Sequence, residues 1–340
     1  MPSRSFTAPT IKEIAATLGL SHSTVSRALN DHPAISDLTK KRVNAEASRA
    51  GYVANNAARM LKQERSHVLG LVIPDIKNAF YTSVAQIVAE AAVLHGWQMI
   101  LATTDDDSER EMRAVRSLLE ARAEGVMISP SAKPLPGTIT MLNRLHTVQL
   151  LRTVRALGNT PSVVVDDALG IELATSHLLA QGHKRIGYIG SRTTLSTGRN
   201  RLRGYEKSLK KNGILVNPEL CAFGPARAVF GAQSFLEIMS RALPPTAIVI
   251  AGPELAEGVL VEAVRRKIRI PSALSIVSYG EMSWHQVIPG GITCIRLPEK
   301  EIARAAFERL ISVRSSPAPN KLCIKPCLIE RGSSSQLLQA

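Results

Sequence analysis

TIKEIAATLGLSHSTVSRALND, residues 10–31, decides how the chain begins to fold. Thr10 and Glu13 stand at the spacing of a capping box, in which each side chain accepts from the other residue's backbone N–H. Ile11, Ile14, Ala15 and Leu18 then fall on one face of a helix that Gly19 ends. Ser21 caps a second helix with Val25 and Leu29 as its apolar stripe. The turn NDHP (30–33) leads into ISDLTKKRVNAEASRAGY, a third helix closed by Gly51. The first two helices, joined by Gly19-Leu20-Ser21, have helix-turn-helix proportions. That geometry exposes His22, Ser23, Ser26 and Arg27, all able to meet base edges, with Arg27 also able to reach a phosphate. A small helical hairpin with no nucleic acid partner has the same spacing. Lys40, Lys41 and Arg42 read as solvated or phosphate-facing.

From about residue 68 the pattern changes. Short apolar runs recur: LGLVIPD (69–75), WQMILATT (97–104), GVMISPS (125–131), SVVVDD (162–167), RIGYIGS (185–191), TAIVIAGP (246–253) and LSIVSYGE (274–281). Between most of them lie helical segments such as SVAQIVAEAAVLHG and ELAEGVLVEAVRRK. Near-continuously apolar strands alternating with helices indicate parallel sheets covered on both faces. Seven such units exceed one comfortable sheet, so two α/β lobes are expected. RSSPAPNK (314–321) and the SSSQ tail read as loop.

The formal net charge is +14, and residues 1–67 hold +5 of it, about twice the density of the rest. A basic segment of that kind suits a polyanion. No apolar run approaches the ~18 residues of a membrane span. The start MPSRSFTAPT has no apolar stretch after its arginine, so it does not read as a signal peptide. Four cysteines make no disulfide framework, and Cys323 and Cys327 lack the usual paired zinc-ligand spacing, which points to a reducing cytoplasm.

TIKEIAATLGLSHSTVSRALND followed by GYVANNAARML resembles the N-terminus of the LacI/GalR family of bacterial transcription regulators. The resemblance continues through HVLGLVIPDIKNAFY, EGVMIS, VVVDDALGIELATSHLLAQGHKRIGYIG, RNRLRGYEKSLKKNG and ITCIRLP, and so spans essentially the whole chain. It implies a small all-α helix-turn-helix headpiece and a two-lobed, periplasmic-binding-protein-like α/β core of parallel sheets. It also implies a homodimer, double-stranded operator DNA as partner, and a small-molecule effector. The divisions expected are a DNA-binding domain at 8–54, a hinge helix at 55–65 and a core at 66–332. Within the core the N-lobe would take about 66–167 plus 297–322, and the C-lobe about 168–293 plus 323–332.

The hinge segment NNAARMLK (55–62) opens on Asn55 and is too short to be helical alone in water. On spacing alone it reads equally as a linker with Leu61 packed on the core or as a helix that forms against a partner. The neighbouring helix-turn-helix favours the second reading. The resemblance implies that Leu61 wedges between base pairs in the minor groove. Ala57 and Ala58 are small enough for close approach, while Arg59 and Lys62 can meet phosphate.

In two-lobed α/β proteins ligands sit at the carboxyl ends of strands, in the crevice. The candidates there are Asp75, Asn78, Phe80, Tyr81, Ser129, Ser131, Arg152, Asp166 or Asp167, Arg201, Gly252–Glu254 and Gly280–Trp284. Arg201, three residues before Gly204-Tyr205, matches the family's effector-binding arginine. Asp166 reads as a helix cap or lobe-crossing residue. Sugar-binding relatives carry Asn-Asp where this chain has Gly252-Pro253, and an aspartate where it has Gly280. Fewer acceptors, with Arg152 and Arg201 facing the crevice as a pair, favour an anionic ligand such as a sugar acid over a neutral sugar. Glu254 and Glu281 are the residues that could restore acceptors, and Trp284 could stack on the ligand.

An enzyme is not expected. There is no GxSxG, no GxxxxGK[ST] and no GxGxxG. His177 and His183 are six apart with Gly182 between, a poor metal pair. Asp105-Asp106-Asp107 reads as a loop entering a helix N-terminus. No cofactor or metal is expected. The alternative function is an α/β ligand-binding or sugar-processing protein that does not bind DNA.

Overall fold

The computed structural model describes residues 9–52, 66–312 and 320–337. The expected hinge at 55–65, with Asn55, Ala58, Leu61 and Lys62, lies outside the described residues, as does most of 314–321. By its internal contacts the chain divides into an N-terminal unit, 1–66, and a core, 67–340.

The N-terminal unit has three described helices: α1 (Ile11–Leu18), α2 (His22–Leu29) and α3 (Asp37–Ala50). The capping box forms, with Thr10 N–H donating to Glu13 Oε2 at 2.7 Å and Glu13 N–H to Thr10 Oγ1 at 3.3 Å. Gly19 and Gly51 take left-handed φ of 64° and 67°, which ends α1 and α3 at little cost. Ile14, Ala15, Val25, Ala28, Val43 and Ala47 are buried together and fix the crossing of the three helices.

The core holds two six-stranded sheets. The N-lobe sheet runs β11 (Lys321–Ile324), β5 (Ser162–Val165), β4 (His146–Leu150), β3 (Gly125–Ile128), β1 (Val68–Ile73), β2 (Gln98–Thr103), all parallel. The C-lobe sheet runs β12 (Cys327–Ile329), β10 (Cys294–Arg296), β9 (Ser275–Tyr279), β8 (Ala247–Ile250), β6 (Ile186–Ser191), β7 (Cys221–Gly224), with only β12 antiparallel. Helices cover both faces. In the N-lobe, Leu69, Leu71 and Ile73 of β1 pack with α4 (Ala79–Leu94) and α11 (Glu299–Ile311). Val72 points to the side of α5 (Ser108–Glu120) and α6 (Pro136–Leu142). In the C-lobe, Ile248 and Ile250 meet α9 (Ala228–Met239) and α10 (Pro253–Arg265). Ala247 and Val249 meet α7 (Asp167–Ala180) and α8 (Ser196–Lys211).

The chain crosses between lobes at Asp166-Asp167, after Arg296, and between Ile324 and Cys327. β10 keeps the C-lobe to Arg296, and β11 keeps the N-lobe through Ile324, two residues past the expected 322. The seven apolar runs left out β4, β7, β10, β11 and β12. Each is three to five residues long, too short for a period to show. The SSSQ tail is not a free loop. Ser333 Oγ donates to Ile276 O and accepts from Thr293 N–H, both at 2.8 Å. Ser334 Oγ meets His177 Nε2 at 2.8 Å, and Ser335 O lies 3.1 Å from His183 Nε2. The tail is thus a strap over the C-lobe, and it gives both histidines structural partners.

Candidate functional site

In the N-terminal unit, Ser21 fixes the start of α2 by accepting from Thr24 N–H at 3.1 Å. His22, Ser23 and Arg27 are exposed on that helix, and Ser26 is half-buried. Its first turn holds no acidic residue, so the positive end of the helix dipole is uncompensated. Lys40 is engaged with Asp31 at 2.7 Å, whereas Lys12, Arg27, Lys41 and Arg42 have no ion-pair partner among the described residues. Val25 and Ala28 anchor the opposite face of α2 in the core. A rigid helix therefore presents donors and acceptors from its N-terminal half, flanked by cations: a polyanion-facing surface.

In the core, strand ends from both lobes surround a cavity of about 80 Å³. Phe80 and Tyr81 line it from α4, which Asn78 caps by accepting from the Phe80 N–H at 3.0 Å. Arg152, Arg201, Glu254 and Glu281 also reach it. Through Asn78, Tyr81, Arg152 and Glu254 it continues into an outer cavity of about 470 Å³, lined further by Asp75, Asp105, Asp106, Arg192 and Arg227. Two contacts bridge the lobes nearby: Arg227 donates to Asp105 Oδ1 at 2.5 Å, and Thr153 N–H donates to Ser196 Oγ at 3.0 Å.

The expected pair of arginines is not free. Arg152 is ion-paired with Asp106. Arg201 donates to Asp167 Oδ1 at 2.8 Å and to Ala251 O at 3.0 Å, and lies 4.0 Å over the Tyr279 ring. Tyr279 OH donates to the same Asp167 oxygen at 2.7 Å. Each guanidinium thus already faces a carboxylate. Glu281 is similarly engaged: hydrogen bonds from Arg296, then Arg331, hold its carboxyl down to about 2. Glu254 is the opposite case, since burial raises its carboxyl and Oε1 has no hydrogen-bond partner. Ser191 Oγ, in the same cavity wall, is also buried without a partner.

Three other expectations are corrected. Ser129 is fully buried behind Tyr81, whose OH it meets at 2.8 Å, and does not line the cavity. Ser131 binds Glu111 through its N–H and Oγ. Trp284 packs edge-on against His285 at 4.3 Å and on the C-lobe core, away from the cavity. Asp166 caps α7 by accepting from Leu169 N–H at 3.0 Å. Asp107 likewise caps α5, while Asp105 and Asp106 adopt φ of 54° and 58° and turn to Arg227 and Arg152. Gly252-Pro253 and Gly280 prove to be one feature. Gly280 has φ 92°, and a Cβ there would sit 3.2 Å from the Pro253 ring. The residues missed in the sequence, Asp105, Asp106, Ser191, Arg192, Arg227 and Tyr279, end or follow strands. That position was their only signal. Among the described residues no group of His, Cys, Asp or Glu is placed to hold a metal, and no helix is long and apolar enough to cross a membrane.

Residues 10–55 match the model of bacterial regulatory proteins of the lacI family, and residues 175–334 match a periplasmic binding protein-like domain. The chain is 28% identical over 328 residues to the transcriptional regulator GalR of Salmonella typhimurium, covering 96% of each. It is 27% identical over 305 residues to the transcriptional repressor CytR of Escherichia coli, covering 90% of this chain and 89% of that one. The fold superimposes with a TM-score of 0.83 on a lac repressor dimer bound to operator and the anti-inducer ONPF, at 21% identity over 97% of this chain and 100% of that one. The chain thus joins a helical unit of the lacI family of bacterial regulatory proteins to a periplasmic binding protein-like domain, and resembles these regulators along nearly its whole length.

Proposed function

We propose that this chain is a homodimeric transcriptional repressor that binds operator DNA and whose grip is set by a sugar acid held between the core lobes. In this reading residues 8–54 are the reading head, 55–65 the hinge and 66–332 the effector-binding core. The observation that carries it is the exposed face of α2, with His22 and Ser23 from its first turn and Arg27 from its last projecting from a helix fixed by Val25 and Ala28. The names of the relatives, all transcription regulators or repressors, support it. The dimer is supported by large apolar side chains left exposed on α4 and β2 (Val93, Leu94, Ile100) and on β7, α9 and α10 (Phe223, Val229, Val264). Such patches mark protein interfaces, and β2 and β7 are both edge strands.

The effector reading changes its residues but keeps its class. Glu254 Oε1 and Ser191 Oγ offer unpaired acceptors to ligand hydroxyls. Arg192, exposed on the outer cavity and without an ion-pair partner among the described residues, supplies the cation for a carboxylate. A ligand touching both lobes binds one lobe arrangement better than another, and only that difference in affinity shifts the equilibrium felt by the hinge. Leu61 is then the side chain that wedges the operator. The test is a gel-shift titration on the gene's own upstream region, with and without aldonic and uronic acids. Expected are a sequence-preferring complex, a response to one acid, and weaker binding by Leu61→Ala. Absence of any preference, with every acid tried, overturns the assignment.

A further inference from the structure

A second large concavity, about 960 Å³, lies in the core between α8 of the C-lobe and the β5–β11 edge of the N-lobe. Arg203, Lys207 and Lys211 follow one another at four-residue steps along α8, with Lys210 beside them, and Lys321 of β11 joins from the other lobe. All five are exposed. Lys207 meets Glu172 at 2.8 Å, and the other four have no ion-pair partner among the described residues. The negative end of the α8 dipole explains cations at Lys210 and Lys211. It explains neither Arg203, two turns earlier, nor Lys321 on a strand.

We propose that this groove docks an extended acidic polypeptide segment of a partner protein. Side chains four apart on a helix stand ~6 Å apart, and alternate side chains of an extended chain stand ~6.6 Å apart. Acidic residues at every second position of such a segment therefore fall in register with Arg203, Lys207 and Lys211. The row spans ~12 Å, more than one phosphate fills, and its exposed cations form no desolvated cradle for a single small anion. Leu151 and Val165 give the floor apolar area, which suits a peptide and is out of reach of a convex duplex. Of the carboxylates that also line it, Asp166 caps α7, Asp167 is held by Arg201 and Tyr279, and Glu206 stands beside the lysines. Among the described residues β11 pairs only with β5, so its outer edge offers backbone groups to an added strand. Because the walls belong to different lobes, an occupant acts on the same lobe equilibrium as the effector.

The test is fluorescence anisotropy on the full chain with a fluorescein-labelled peptide of alternating Glu and Ser. Expected is saturable binding that weakens with salt. Arg203→Glu with Lys211→Glu should weaken it about tenfold, and Lys321→Glu, on a separate element, should weaken it independently. Lys300→Glu, exposed on α11, should leave it unchanged. Unaltered affinity in both groove variants overturns the proposal. So does an equal loss of duplex DNA binding in those variants, which would assign the groove to nucleic acid, or displacement of the peptide by pyrophosphate, which would assign it to a small anion.

Discussion

In the proposed sugar-acid site, Glu254 and Arg192 divide the recognition of a hydroxylated carboxylate between them. Burial raises the Glu254 carboxyl, and its unpaired Oε1 gains most from a donor that the protein itself does not supply. Glu254→Gln should therefore weaken ligand binding about tenfold or more without lowering Tm. Arg192→Ala should weaken a sugar acid by a similar factor and leave the corresponding neutral sugar untouched, because the exposed guanidinium serves only the carboxylate. Isothermal titration with both ligands decides this: equal losses for acid and neutral sugar remove Arg192 from carboxylate recognition. Arg201 is a poor probe of the same question. Removing it strands the buried Asp167, which costs roughly 3–5 kcal/mol, so Arg201→Ala reports on folding before it reports on ligand.

At the scale of elements, helix starts were legible in the sequence because their signals are local. Thr10, Ser21 and Asp166 each lie three residues from the N–H they accept. The partners of the arginines were not, because Asp106 is 46 residues from Arg152 and Asp167 is 34 from Arg201, and no short-range pattern pairs them. A guanidinium after a strand, as Arg152, or inside a helix, as Arg201, thus read as available when the fold had already matched it. Helix crossings were similarly hidden. α9 and α10 pack so closely that a Cβ on Gly258 would run into the Ala228 carbonyl, and one on Gly231 into the Leu255 carbonyl. Backbone cannot yield as a side-chain tip does, so Gly258→Ala should destabilise by about 2 kcal/mol or more despite its better helix propensity. For a core of this size that is a Tm lowered by ~4–8 °C. Glu257→Ala, exposed on the same α10, is the control that should not move Tm. An unchanged melt for Gly258→Ala would mean that the two helices separate at no cost.

For the whole molecule, charge and exposed surface set the conditions under which the core persists and pairs. His285 is fully buried, and burial first, then Arg331, holds it down to about 4. It is neutral in the folded state, so its stabilisation is complete above ~6.5 and is lost as pH falls from there toward 4, up to roughly 3 kcal/mol. Glu281, held down to about 2, adds a second loss between ~4.5 and 2. Glu111, Glu254 and Glu299, raised by burial, act in the opposite sense as they take up protons above ~4.5. Tm should still fall between about pH 7 and 5, and His285→Asn should shrink that fall; an identical slope in the variant excludes His285 as its source. Pairing is tested on the exposed edge instead. Leu94, 84% exposed on α4, makes no contribution to the core of its own chain, and a charge there costs a separate subunit little. Buried against a second copy, the same charge lacks a partner. Leu94→Asp should therefore leave Tm measured on dilute protein nearly unchanged and shift sedimentation from dimer to monomer. Operator affinity should drop with it, since a single subunit grips one half-site and loses the effective concentration that links the second. A variant that stays dimeric and grips its operator as before would move the interface away from α4 and β2, leaving the apolar edge formed by Phe223 and Val264 to carry it.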